Sequence, residues 1–168
     1  MQVRYQPLAD RVLWQLTTHG GELFGVWLTR RMLAQLWAPL QQLVAQSSVG
    51  VAARPVASVL PEARDMLAQA VRERPLPNAE FGQPFQAAAK AQPLGPEPLL
   101  PEAVDIGPLP TGRGIQLRVR EQGGRQLSLQ MAEDLSTALV RLMEQALAES
   151  GWGIAVAPTQ AAQAPTRH

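Results

Sequence analysis

The chain of 168 residues has a formal net charge of +1, is 46% apolar and 17% charged, and contains two histidines and no cysteine. This length suits one domain with a substantial core. The net charge does not indicate a surface that attracts nucleic acid in general, and the missing cysteines exclude disulfides and thiolate metal sites. No apolar run approaches the roughly 20 residues that span a bilayer, and the N-terminus lacks a signal-peptide pattern. We therefore expect a cytoplasmic protein without membrane contact.

Two Gly-Gly pairs, Gly20-Gly21 and Gly123-Gly124, lie within similar sequence patterns. Apolar residues alternate with other residues on both sides of each pair: Val12, Trp14, Leu16, Phe24, Val26 and Leu28 around the first, and Ile115, Leu117, Val119, Leu127, Leu129 and Met131 around the second. Such alternation is typical of β-hairpins closed by two-residue primed turns, in which glycine adopts a positive φ. The sequence therefore predicts two antiparallel hairpins.

A helical pattern follows each hairpin. The first begins near the N-cap residue Thr29, and its apolar stripe contains Leu33, Leu36, Trp37, Leu40 and Val44. Pro39 lies within this pattern and is expected to kink or divide the helix. The second helix ends at Gly151, and its stripe contains Leu135, Leu139, Leu142, Met143, Ala146 and Leu147.

Residues 46–112 form a long insert between these patterns. Pro61 to Arg74 predicts a third helix that packs by Met66, Leu67, Ala70 and Val71. Residues 75–112 are rich in proline, alanine and glycine, which predicts an extended or disordered chain, mobile over 75–103 and poor in backbone hydrogen bonds. Residues 158–168 are expected to be a disordered tail.

These patterns predict an α+β fold made of two ββα units, residues 8–45 and 113–151, within a single domain of residues 1–157. Since an isolated hairpin is marginally stable, the two hairpins are expected to form one four-stranded antiparallel sheet with both helices on one face. Arginine, alanine and proline are frequent and Lys90 is the only lysine. This bias is typical of a GC-rich genome, so we expect a bacterial source.

Residues for catalysis are scarce. His19 falls in the first turn, and the adjacent Glu133 and Asp134 fall in the first turn of a helix, where negative charge favours the helix dipole. No nucleophile–base pair or metal-ligand cluster is apparent. We therefore predict no catalytic site, no metal and no cofactor.

The side of the sheet opposite the core is the first candidate site. Its second-hairpin residues are polar and include Arg118 and Arg120, whereas the first hairpin places Leu13, Leu23 and Trp27 there. A contiguous apolar patch on a sheet usually marks a contact surface. The sequence leaves three candidates for what covers this face: the insert, a second copy of the chain, or nucleic-acid bases stacked on Trp27 beside the two arginines.

Arg30 and Arg31 are the second candidate site, because cations in the first turn of a helix oppose its dipole. Either they pair with a carboxylate, such as Glu133 or Asp134, or they bind an anion.

Together these features predict a non-enzymatic interaction module that forms a homodimer through the outer sheet face or binds another protein there. The alternative is a single-stranded nucleic-acid-binding protein that uses Trp27 and the arginines.

Overall fold

The structure is a computed structural model that describes residues 1–48, 76 and 90–154. Its elements are β1 (Gln2–Gln6), β2 (Arg11–Thr17), β3 (Leu23–Thr29), α1 (Arg30–Ser48), β4 (Ala103–Pro108), β5 (Ile115–Arg120), β6 (Gln126–Met131) and α2 (Glu133–Ser150). Three strands followed by a helix thus occur twice, and the fold is α+β. The helix predicted at Pro61 to Arg74 and the predicted tail of residues 158–168 lie outside the described residues, as do residues 75 and 77–89 of the stretch expected to be mobile.

The strands form two antiparallel sheets, the first in the order β1-β2-β3 and the second in the order β4-β5-β6. The predicted single four-stranded sheet is therefore not confirmed. The predicted first unit began at residue 8 and omitted β1, and β4 lies within the predicted insert. These two strands pair with β2 and β5, so each hairpin belongs to a sheet of its own. An isolated parallel bridge between Val26 and Leu99 connects the first sheet to the chain just before β4.

Both predicted hairpins are confirmed, but their turns are one residue longer than expected. In each, the residues flanking the loop are joined by a backbone hydrogen bond: Thr18 N–H to the Glu22 carbonyl at 2.9 Å, and Glu121 N–H to the Arg125 carbonyl at 3.0 Å. Three residues lie between them, as in a type I turn followed by one left-handed residue. That residue is Gly21 in one loop and Gly124 in the other, with φ of 83° and 86°. Only the second glycine of each pair therefore requires glycine's freedom.

The two halves have the same strand register. Val3 pairs with Trp14 and Trp14 with Val26 in the first sheet, and Ile106 pairs with Leu117 and Leu117 with Leu129 in the second. Residues at matching places are 103 apart in sequence, as Trp14 and Leu117 are. The same offset relates the first residues of the two helices, Arg30 and Glu133. A position in one sheet therefore has a defined equivalent in the other.

One apolar core receives the inner faces of both sheets and the stripes of both helices. The five stripe residues predicted for α1 are buried, as are Leu139, Met143, Ala146 and Leu147 of α2, whereas Leu135 is 45% exposed. The helices are exchanged between the units, since α2 lies against β1 and α1 contacts β4 and β5. Each helix therefore completes the core beneath the other unit.

The predicted helix ends are confirmed. The Thr29 hydroxyl accepts a hydrogen bond from the Met32 N–H at 3.3 Å, as an N-cap residue does. Gly151 ends α2 in the left-handed conformation with φ of 63°. Pro39 is exposed and does not divide α1, which is continuous from Arg30 to Ser48.

Residues 90–102, here called the edge segment, run along β3. Leu23 N–H donates to the Ala91 carbonyl at 2.9 Å, Trp27 N–H donates to the Leu99 carbonyl at 2.7 Å, and Leu99 N–H donates to the Gly25 carbonyl at 2.9 Å. The sequence predicted that a ladder of backbone hydrogen bonds is improbable here; the edge segment forms two isolated bridges to the first sheet, and the N–H groups that bond belong to residues lying between the prolines. Leu99 is 1% exposed, so the edge segment contributes to the core.

Candidate interaction surface

The outer face of the first sheet has an apolar centre made by one cross-strand pair. Leu13 of β2 lies opposite Trp27 of β3, and Arg4 of β1 lies on the other side of Leu13. Leu13, Leu23 and Trp27 are all half-buried. Neighbouring strands bring opposed side chains to about 5 Å, close enough for the leucine and the indole to touch. The structure thus brings together Leu13 and Trp27 as the sequence predicted.

The insert covers part of this face. Gly25 lies between Leu23 and Trp27 on the same face, and a Cβ at Gly25 would lie 3.1 Å from the Cβ of Pro98. The absence of a side chain at Gly25 is what allows Pro98 to approach. Of the three occupants considered from the sequence, the insert therefore contributes at this point, while Leu13 and Trp27 keep part of their surface accessible.

A charged clamp from the second sheet holds the edge segment in place. Arg125 Nη1 donates hydrogen bonds to the carbonyl groups of Leu94 at 2.9 Å and Glu97 at 3.0 Å, and its Nε pairs with Glu121 at 2.6 Å. A carboxylate oxygen of Glu121 in turn accepts the Leu100 N–H at 3.0 Å. The hydrogen bond from Arg125, supported by the one from Leu100, lowers the pKa of Glu121. The two residues flanking the second turn thus bind the segment that borders the apolar face.

The outer face of the second sheet is polar and exposed. Its residues on the two hairpin strands are Gln116, Arg118, Arg120, Gln126, Ser128 and Gln130, all exposed. Arg120 forms an ion pair with Asp105 at 3.0 Å, and both side chains are at least half exposed. Arg118 lies opposite Asp105 in the register. The two arginines and Trp27 therefore occupy different sheets, and an acidic residue lies beside the arginines.

Arg30 contacts the end of the other helix. Its Nη2 donates a hydrogen bond to the carbonyl of Trp152, just beyond α2, at 3.1 Å. A cation is favourable near a helix C-terminus, where carbonyl groups are left without helical partners. This contact offsets the unfavourable place of Arg30 at the start of α1. Arg31 is exposed beside it.

The sequence analysis missed a cluster around Asp10. One carboxylate oxygen of Asp10 accepts hydrogen bonds from Trp152 Nε1 and from the Tyr5 hydroxyl, both at 2.8 Å. The Tyr5 and Trp152 rings meet edge to face with centroids 5.5 Å apart. The bond from Trp152, followed by that from Tyr5, lowers the pKa of Asp10, and the bond to Asp10 raises the pKa of Tyr5. Asp10 has φ of 46°, a conformation that is uncommon outside glycine and that aspartate adopts more often than most other residues.

The sequence offered three residues for catalysis: His19, Glu133 and Asp134. His19 is exposed in the first turn, and Glu133 and Asp134 occupy the first turn of α2. Among residues 1–48, 76 and 90–154, no group of three or more His, Asp or Glu side chains is arranged to hold a metal ion. Neither helix in that part of the chain is long and apolar enough to cross a bilayer.

Comparison of the chain with models of protein families, with curated proteins and with solved structures finds no match.

Proposed function

We propose that this protein is a non-enzymatic interaction module that self-associates through the outer face of its first sheet. One observation carries the proposal. The Leu13–Trp27 pair lies on the side of the sheet opposite the core, and the equivalent pair of the second sheet is Gln116–Gln130. At the same place in two sheets of identical register, one unit therefore has large apolar side chains and the other has exposed amides.

The surroundings of the pair support a protein contact. Arg4 and Arg11 lie beside the apolar centre on β1 and β2, and an apolar centre with a polar rim is typical of protein interfaces. Tryptophan is the residue type most enriched among those that dominate binding energy. A second copy supplies the same apolar patch, and in a twofold contact each patch meets its own equivalent.

Single-stranded nucleic acid is the alternative occupant. Bases stack on exposed aromatic rings beside cationic side chains, which here means Trp27 with Arg118 and Arg120. The structure supports this reading less well, since the arginines belong to the other sheet and Arg120 pairs with Asp105. A bound phosphate would have to displace that carboxylate.

We also infer that the two halves are copies of one βββα unit. The constant 103-residue offset through strands, turns and helix starts supports this inference. In this proposal the first half of the chain has an apolar outer face for binding, and the second half has a polar outer face.

The test is the mass of the protein in solution, measured by sedimentation equilibrium for the wild type, Leu13→Asp and Trp27→Asp. A charge in an apolar contact is costly when buried there, whereas the core face is untouched. We expect both variants to remain folded by circular dichroism and to lose mass relative to the wild type. Gln116→Asp, at the position equivalent to Leu13, is the matched control and should keep the wild-type mass.

An unchanged mass for both apolar variants would refute self-association through this face. Titration with a single-stranded oligonucleotide at low and high salt separates the alternative, because phosphate contacts weaken steeply with salt. Binding that Trp27→Ala and Arg118→Ala both reduce would assign the face to nucleic acid.

A further inference from the structure

The outer edge of β6 is a row of backbone groups without a partner strand in the described residues. β6 is the last strand of the second sheet, and β5 is its one neighbour. Within residues 1–48, 76 and 90–154, no backbone hydrogen bond reaches the other side of Gln126, Ser128 or Gln130. The equivalent edge of the first sheet, on β3, is bonded by the edge segment.

The register defines which groups point outward. Glu121 N–H bonds to the Arg125 carbonyl, and hydrogen-bonded pairs alternate along an antiparallel ladder. Leu127 and Leu129 therefore bond to β5, while the N–H and C=O groups of Gln126, Ser128 and Gln130 face away from it. The first sheet follows the same alternation. On its edge strand β3, Trp27 bonds to the edge segment, and Trp27 is the equivalent of Gln130.

In the part of the chain that the structure describes, the β6 edge lacks the features that prevent sheet edges from pairing. Natural edge strands carry lysine, other charges, proline or a bulge that prevents pairing. The β6 sequence QLSLQM contains no charge and no proline, and its register with β5 is regular from end to end. The edge is thus suited to receive another strand.

We infer that β6 pairs antiparallel with β6 of a second copy, about a twofold axis at Ser128. The residues Gln126 to Gln130 read QLSLQ, which is the same in both directions. An antiparallel pair centred on Ser128 places Ser128 opposite its equivalent, and Gln126 opposite Gln130 of the other copy. That register bonds the outward backbone groups of all three residues in both copies.

The side chains suit the same register. On the outer face the exposed amides of Gln126 and Gln130 meet, and amide groups both donate and accept hydrogen bonds. On the inner face Leu127 meets Leu129 of the other copy. The two second sheets become one continuous antiparallel sheet across the axis.

This contact goes beyond the proposed function because it uses a different surface. The edge of β6 is on the second sheet, whereas Leu13 and Trp27 are on the first. Two twofold contacts on one chain build an assembly larger than a dimer. Trp27→Asp removes one contact and Ser128→Pro the other, so the failure of either proposal is distinguishable.

The main test is Ser128→Pro, with Ser128→Ala as its matched control. Proline removes the outward N–H of Ser128 without removing a bond to β5, and proline is tolerated in an edge strand in that orientation. Two intermolecular hydrogen bonds are lost per pair of copies, so we expect association at this edge to weaken roughly 30-fold. Alanine keeps the N–H and should keep the wild-type mass. A Ser128→Pro protein that remains folded at the wild-type mass overturns the proposal.

A charge pair tests the register and does not depend on how proline is tolerated. Gln126→Lys with Gln130→Lys places like charges opposite each other, and we expect association to weaken roughly tenfold at low salt. Gln126→Lys with Gln130→Glu places opposite charges together and should restore the wild-type mass. Equal masses for these two double variants at low salt would overturn the register.

Hydrogen exchange gives a second readout. Protection of the Gln126, Ser128 and Gln130 amides should rise with protein concentration, because the bonds form between copies. Protection that is independent of concentration would assign the edge to a strand of the same chain and overturn the proposal.

Discussion

Replacing Leu99 with alanine tests whether the proline-rich edge segment belongs to the folded core. The side chain is 1% exposed, so its removal leaves a cavity and should cost about 3 kcal/mol of the free energy of unfolding. The backbone bonds of Leu99 to Gly25 and Trp27 do not involve the side chain and should remain. In a domain of this size the loss corresponds to a fall of roughly 6 to 12 °C in Tm. Urea unfolding followed by tryptophan fluorescence measures it.

The neighbouring Leu100 provides the control. It is 39% exposed, so Leu100→Ala should cost less than about 1 kcal/mol. The dependence of unfolding free energy on urea should be unchanged in both variants, because the same surface is exposed on unfolding. Equal costs for the two variants, or a cost below about 1 kcal/mol for Leu99→Ala, would refute the assignment of the edge segment to the core.

Three further variants test single contacts. Gly114→Ala should lower the free energy of unfolding by at least about 2 kcal/mol, because its φ is 120° and a Cβ would overlap the Met131 carbonyl. Gly112→Ala has open space around it and should lower the free energy of unfolding by about half as much in the same urea assay. Asp10→Asn removes a carboxylate whose pKa is lowered in the fold by the hydrogen bonds from Trp152 and Tyr5. The stability advantage of the wild type should therefore be full above the usual pKa of aspartate and be lost as pH falls through the lowered pKa; an advantage constant with pH would contradict this. Arg125→Lys should speed hydrogen exchange in the edge segment and leave the exchange of α1 unchanged. Lysine lacks the planar guanidinium that binds two carbonyl groups and a carboxylate. Unchanged exchange in the edge segment would show that Arg125 does not hold it in place.

Local patterns predicted both hairpins and the two helices that the structure describes. The alternation around Gly21 and Gly124, the cap at Thr29 and the glycine at 151 each act within a few residues, so the signal and the structure lie in the same stretch of sequence. The outer-face residues Leu13 and Trp27 followed from the same alternation. Turn length was missed because Gly-Gly is compatible with both two-residue and three-residue loops.

Contacts between distant residues were not predictable in this way. β1 offers only Val3 and Tyr5 as alternating apolar residues, too few to indicate a strand. The partner of Arg30 is Trp152, 122 residues away, and no local pattern connects them. Pro98 meets Gly25 only because β3 and the edge segment pair, which depends on the whole fold.

The exchange of helices between the units has a consequence for how the chain folds during synthesis. α2, which lies against β1, is made more than a hundred residues after it. The N-terminal unit therefore leaves the ribosome with one side of its core uncovered, and contacts of such long sequence separation make folding slow.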